Sequence, residues 1–121
     1  MTALNRSRRE IEAARLLAKG DFAAQAVSRA YYAAFYAAEQ ALGSLGESRS
    51  KHSGVIAAFG SRVVREGGLD EAIGRILRSL FEQRNGVDYG EADASRKDAD
   101  VAIRDAERFV DAVESWLAAR G

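Results

Sequence analysis

The chain has no cysteine and no proline, only one histidine and one tryptophan, and its 18 basic and 18 acidic side chains leave its 121 residues without net formal charge. Each shortage excludes something. Without cysteine there is neither a disulfide framework nor a thiolate metal site, and the redox compartment is not legible. One histidine among scattered carboxylates gives no zinc-ligand spacing, so no metal or cofactor is expected. Balanced charge argues against a broad basic surface for nucleic acid, while leaving room for a local basic cleft. No apolar run approaches the roughly 20 residues of a membrane span. The opening MTALNRSRREIEAARLL lacks the apolar core of a secretory signal, and the expectation is a cytoplasmic protein with no membrane contact. A phosphate-binding loop, a dinucleotide fingerprint, a serine-hydrolase elbow and a zinc-protease motif are all missing.

What is present favours helices. Alanine is abundant, glycines cluster at a few places, and β-branched and aromatic residues never alternate as in strands. The length suits one domain, 1–121, around one core. Its centre is Ser28 to Leu45, SRAYYAAFYAAEQALGSL, which holds three of the four tyrosines among small alanines. At helical spacing Arg29, Tyr32 and Tyr36 share one side, and Tyr31, Phe35 and Leu42 another, so this helix is expected to be central.

In chain order, the spacing predicts a first helix from about Ala3 to Ala18, with Leu4, Ile11, Ala14 and Ala18 inward. Lys19-Gly20-Asp21 reads as a basic last turn, a left-handed glycine and an N-cap for a second helix over about Phe22 to Leu42. Gly43 and Gly46 release that helix. Ser50 or Ser53 would cap a third, carrying Val55, Ile56, Phe59 and Val63 and ended by Gly67-Gly68. A fourth starts at Asp70 and runs towards Arg84, where Asn85-Gly86 signals a turn and VDYGEAD reads as irregular chain. Ser95-Arg96-Lys97-Asp98 has capping-box spacing ahead of a final helix carrying Ala99, Ile103, Ala106, Phe109, Val110, Val113, Trp116 and Leu117. The fold class is therefore all-α, an antiparallel helical bundle of four main helices plus one shorter helix. A tetratricopeptide solenoid, suggested superficially by ARLLAKGDFAAQAVSRAYYAAF, lacks the second unit it would need about 34 residues later.

Three polar groups could carry chemistry. Arg84-Asn85-Gly86-Val87-Asp88-Tyr89 concentrates a guanidinium, an amide, a carboxylate and a phenol at a helix end. There Arg84 could hold a phosphate with Asn85 beside it and Tyr89 against a base or hydroxyl. The structural alternative pairs Arg84 with Asp88 and leaves Tyr89 as packing. Arg29, Tyr32 and Tyr36 could line a groove that grips phosphate and stacks bases, or could bond across the core or a dimer seam. Lys51-His52 precedes the third helix and could bind an anion, and His52 is the one side chain that titrates near neutral pH. Its alternative is a cap or a solvated residue. Asp98, Asp105, Glu107 and Glu114 read as the solvated face of the last helix.

SRAYYAAFYAAEQAL, SKHSGVIAAF and LRSLFEQRNGVDYG, in that order and followed by a long final helix, resemble the HEPN domain family (higher eukaryotes and prokaryotes nucleotide-binding), especially its small stand-alone prokaryotic members. The resemblance covers nearly the whole chain. It implies a compact helical bundle that homodimerises. It also implies a metal-independent endoribonuclease toxin paired with a small nucleotidyltransferase antitoxin, or a nucleotide- or RNA-binding or scaffolding role. Active family ribonucleases carry an arginine followed by four to six residues and a histidine at the dimer interface. Arg84 matches the arginine and Asn85 the polar residue after it. Tyr89 stands where the histidine belongs, and no histidine follows Arg84. A phenol with a reference pKa of about 10 substitutes poorly for imidazole at neutral pH. The resemblance therefore leaves open a phosphate- or partner-binding component without efficient catalysis, a ribonuclease using Arg84, a helical interaction domain, and a domain controlled by modification of Tyr89. His52 lies outside the family motif.

Overall fold

The computed structural model describes residues 4–90 and 93–120, and folds them into an all-α bundle. Five helices follow in order: α1 (Asn5–Lys19), α2 (Ala23–Ser44), α3 (His52–Ala58), α4 (Glu71–Asp88) and α5 (Arg96–Arg120). Beyond Ala58, α3 continues as a wider π-helical winding over Phe59–Arg65. Ala3, where the spacing placed the start of the first helix, lies outside the described residues.

α2 occupies the middle because it can be covered on several sides. Ala26, Ala30, Ala33, Ala34, Ala37, Ala38 and Ala41 are all fully buried, and their small side chains let α1, α4 and α5 approach it closely. Larger groups fill the layers between: Tyr31 and Leu42 from α2, Leu77 and Leu80 from α4, Phe109 and Val113 from α5. Phe59 of the π-helical winding meets Phe109 with ring centroids 5.2 Å apart, which joins the shorter helix to the same core. Truncating a buried leucine such as Leu77 to alanine costs about 2–5 kcal/mol in such packing.

The turns show how the elements are set. α1 ends in a Schellman arrangement in which Phe22 N–H donates to Leu17 O at 2.9 Å and Asp21 N–H to Ala18 O at 3.3 Å. The left-handed residue is Asp21, at φ 67°, and Gly20 keeps a negative φ. Asp21 is therefore a C-terminal cap of α1, and α2 begins after Phe22 without a side-chain cap, contrary to the sequence reading. Asp is among the few residues with a side chain that tolerate this conformation. α3 likewise starts after Lys51 with no capping bond from Ser50 or Ser53.

α4 differs most from expectation. Its N-cap is Asp70, whose carboxylate accepts from Ala72 N–H at 2.9 Å, as the sequence suggests. But the helix passes straight through Asn85-Gly86 and ends only after Asp88, with Gly90 in the left-handed conformation at φ 71°. Tertiary contacts override the local turn signal: Val87 packs against the core, and Asp88 accepts a 2.6 Å hydrogen bond from Ser28 Oγ of α2. The capping box of α5 forms as read. Ser95 N–H donates to Asp98 Oδ2 at 2.9 Å, and Asp98 N–H to Ser95 Oγ at 3.1 Å.

Candidate functional site

The extension of α4 by one turn decides the geometry. Arg84 and Asp88 become neighbours at i, i+4 on one helical face, aimed at the aromatic part of α2. The Arg84 side chain is only 13% exposed. Its guanidinium lies 5.0 Å from the Tyr31 ring centroid, 5.6 Å from Tyr32 and 5.7 Å from Phe81, so three rings enclose a charge that cannot be discharged.

Arg84 has unequal partners. Nη1 reaches Asp88 Oδ2 at 3.5 Å, a long contact, and Nε is buried with no hydrogen-bond partner among the described residues. Nη2 lies 3.2 Å from Nδ1 of His52. His52 is the first residue of α3, and the start of that helix sets its ring against α2. The imidazole stacks on Phe35 with centroids 4.2 Å apart and planes at 20°, and Tyr31 Oη lies 2.8 Å from the same Nδ1.

This arrangement assigns the tautomer. A guanidinium can only donate, so the Arg84–His52 contact is a hydrogen bond when Nδ1 carries the lone pair and Nε2 carries the proton. His52 is then a neutral imidazole. Its pKa is lowered from 6.5, first by burial and then by the adjacent Arg84 charge. Tyr31 is fully buried, and burial pushes its phenol far above the ordinary range although Arg84 works in the opposite direction. It is therefore a hydroxyl donor and acceptor at all physiological pH.

The sequence-named residues divide into those that meet here and those that do not. Arg84, His52 and Asp88 converge. Asn85 follows Arg84, half-buried and with no side-chain hydrogen bond among the described residues. Tyr32 packs edge-on to Tyr31, with centroids 5.1 Å apart, and borders the cluster. Arg29 lies 4.7 Å over the Tyr32 ring and holds Glu10 at 3.2 Å, so it is tied to α1. Tyr36 sits outward, covered by the Arg6 guanidinium at 3.7 Å. Lys51 is an exposed N-cap, and Tyr89 is 73% exposed at the end of α4, apart from the cluster. An open groove of about 570 Å³, bordered by Ser28, Arg29, Tyr32 and Asp88, meets the cluster at Tyr32 and Asp88. Ser28 and Tyr31 escaped the list of candidates: a serine and a buried ring at helical spacing carry no signal of their polar partners.

The arrangement can do two things chemically. A cation under low-dielectric rings is poised to stabilise an oxyanion, and a neutral imidazole beside it can exchange a proton. Among the described residues no three carboxylates or histidines gather as a metal site, and no helix is long and apolar enough to cross a membrane.

Comparison with known proteins names the class. The HEPN domain model matches residues 2–116, and the chain belongs to the HEPN domain family. It is 40% identical over 113 residues to a protein of Thermotoga maritima called "UPF0332 protein", covering 93% of this chain and 86% of the relative. Identity is 37% over 117 residues to "UPF0332 protein glr0978" of Gloeobacter violaceus, covering 95% and 93%. It is 36% over 107 residues to "Putative toxin MJ0605" of Methanocaldococcus jannaschii, covering 88% and 80%.

Proposed function

We propose that this HEPN-family chain is an RNA-directed protein of toxin type, in which Arg84 and His52 engage a phosphodiester and promote its cleavage. One observation carries the reading. An imidazole lies 3.2 Å from Arg84 although no histidine follows that arginine in sequence, so His52 supplies from α3 the group that Tyr89 does not. When a phosphate draws the guanidinium towards itself and the Tyr31 hydroxyl turns its proton away, Nδ1 of His52 is free as a proton acceptor. The 2'-hydroxyl loses its proton to Nδ1 and its oxygen forms a bond to phosphorus. The bond from phosphorus to the 5'-oxygen breaks, and that oxygen takes a proton from water. Arg84 stabilises the charge on the non-bridging oxygens, with Asn85 as a further donor. The products are a 2',3'-cyclic phosphate and a 5'-hydroxyl.

A second reading, phosphate or partner binding without turnover, is favoured by the resting state of Nδ1, which faces both Tyr31 and Arg84. Incubating purified protein with RNA in the presence of a chelator separates the two. Cyclic-phosphate ends that vanish in Arg84→Ala and in His52→Asn support cleavage; bound but intact RNA supports the second reading. From the family resemblance we carry over a cytoplasmic homodimer that works with a small nucleotidyltransferase antitoxin. Tyr89, exposed at the end of α4, is open to modification by such a partner. Co-expression followed by mass spectrometry tests that part, and an unmodified Tyr89 in every recovered peptide would count against it.

A further inference from the structure

A second cationic feature lies outside the Arg84–His52 centre. Between the π-helical winding and α4 runs a groove of about 340 Å³ bordered by Arg65, Arg75 and Arg78, with Glu71 as its one acidic residue. Arg8, Arg15, Arg29, Arg49, Arg62, Arg84 and Arg96 each hold a carboxylate, whereas Arg65, Arg75 and Arg78 make no ion pair among the described residues. Arg6, Arg9, Arg104, Arg108 and Arg120 also hold no carboxylate among the described residues, and what sets Arg65, Arg75 and Arg78 apart is that all three border one groove. All three are exposed. In a chain of zero net charge, this groove sets three cations against the single carboxylate of Glu71.

Two glycines line the groove, and Gly74 lets its walls come close at the floor. A side-chain carbon added at Gly60 would enter empty space, and one at Gly74 would come within 3.1 Å of Val64, so the two walls nearly touch beneath the arginines. The helices that wall the groove also carry His52 and Arg84, with Arg78 turned about 120° and Arg75 about 180° around α4 from Arg84. Going forward along α3 from His52 to Gly60 and Val64 corresponds to going backward along α4 from Arg84 to Gly74. Arg78 and Arg75 therefore precede Arg84 by roughly 9 and 14 Å along the axis of α4.

We infer that this groove is a track for the phosphate backbone of single-stranded RNA, holding the strand to one side of the Arg84–His52 centre and so fixing which linkage reaches it. The inference rests on the RNA-directed reading above and adds the surface that positions the substrate. Three unpaired guanidiniums along a narrow groove suit successive phosphates, and binding of this kind gives affinity without base preference.

The test is fluorescence anisotropy with a labelled single-stranded RNA, 2'-O-methylated so that it cannot be cleaved, over a range of salt concentrations. The Arg75→Glu/Arg78→Glu double variant should weaken binding about tenfold or more at low salt. It should also flatten the slope of log affinity against log salt by about 1.4, at about 0.7 for each phosphate that is no longer neutralised. Gly60→Glu, which places a carboxylate in the groove, should weaken binding in the same direction. Arg104→Glu/Arg108→Glu, an equal charge change on exposed positions of α5, should leave both quantities near those of the unaltered protein. Equal weakening by the α5 pair would overturn the inference by reducing it to net charge. RNA binding that persists unchanged in both groove variants would overturn it alone, including the case in which these arginines hold an acidic protein. Failure of the unaltered protein to bind RNA at any salt would bring down the RNA-directed reading together with the track.

Discussion

Arg84 and His52, 32 residues apart in sequence, meet at 3.2 Å between Nη2 and Nδ1. Burial first and this contact second lower the imidazole's pKa, and the contact faces its lone pair towards a fixed cation and gives the last turns of α4 a partner on α3. Stability and chemistry respond differently to its removal.

Arg84→Met tests that difference. Asp88 remains partly solvated and bonded to Ser28, so the substitution strands no buried carboxylate, and the unpartnered Nε is removed. Thermal and denaturant unfolding should place the variant within about 1.5 kcal/mol of the unaltered protein. RNA cleavage should fall by about 10²–10³, the scale for removing one oxyanion-stabilising group. Arg84→Lys should not restore it, because an ammonium lacks the guanidinium fork.

His52 predicts a pH dependence with a definite sign. Its folded pKa lies below 6.5, so below that pH the unfolded chain binds more protons than the folded one. Stability from this group is complete above 6.5 and is lost as pH falls from there towards the folded pKa. Unfolding curves at pH 7.5 and 5.5 should show a larger loss for the unaltered protein than for His52→Asn. An equal loss in both would contradict the assignment.

Tyr31→Phe removes the hydroxyl from Nδ1 while keeping the buried ring. The expected cost is about 1 kcal/mol, the usual net value of one hydrogen bond. With one hydrogen bond fewer at Nδ1, cleavage should change far less than in His52→Asn, as measured by single-turnover kinetics.

The sequence made much of this fold legible and less of the site. α5 was readable because its apolar period is unbroken and its capping box is a local device, Ser95 with Asp98. α2 was readable because rings on two sides demand burial. The end of α4 was not, since Asn85-Gly86 is a true local turn signal with a helix cost of about 1 kcal/mol for glycine. Only the distant Ser28 and the packing of Val87 overrule it. The sequence offered an Arg84–Asp88 pair as one alternative, and the missed turn hid only that the two stand at i, i+4 on a continuous helix. His52 was a candidate for its place before the third helix and for its titration; no spacing relates residue 52 to residue 84, and only the fold brings them together. Arg29 looked available because Glu10, its partner, lies on another helix.

Asp21 offers a check on the turn that joins α1 to α2. At φ 67° a residue with a side chain carries a penalty of roughly 1–2 kcal/mol, part of which glycine gives back through its greater freedom in the unfolded chain. Asp21→Gly should raise stability by about 0.5–1 kcal/mol, read from the midpoint of denaturant unfolding, whereas Asp21→Val should lower it.

The most direct measurement follows the imidazole itself. His52 is the only histidine, so its ring resonances in an NMR titration are unambiguous. Adding an uncleavable 2'-O-methyl RNA should shift them and raise the His52 pKa, because a phosphate at Arg84 offsets the positive charge that now opposes protonation. RNA that binds while the His52 resonances and pKa stay unchanged would contradict the account.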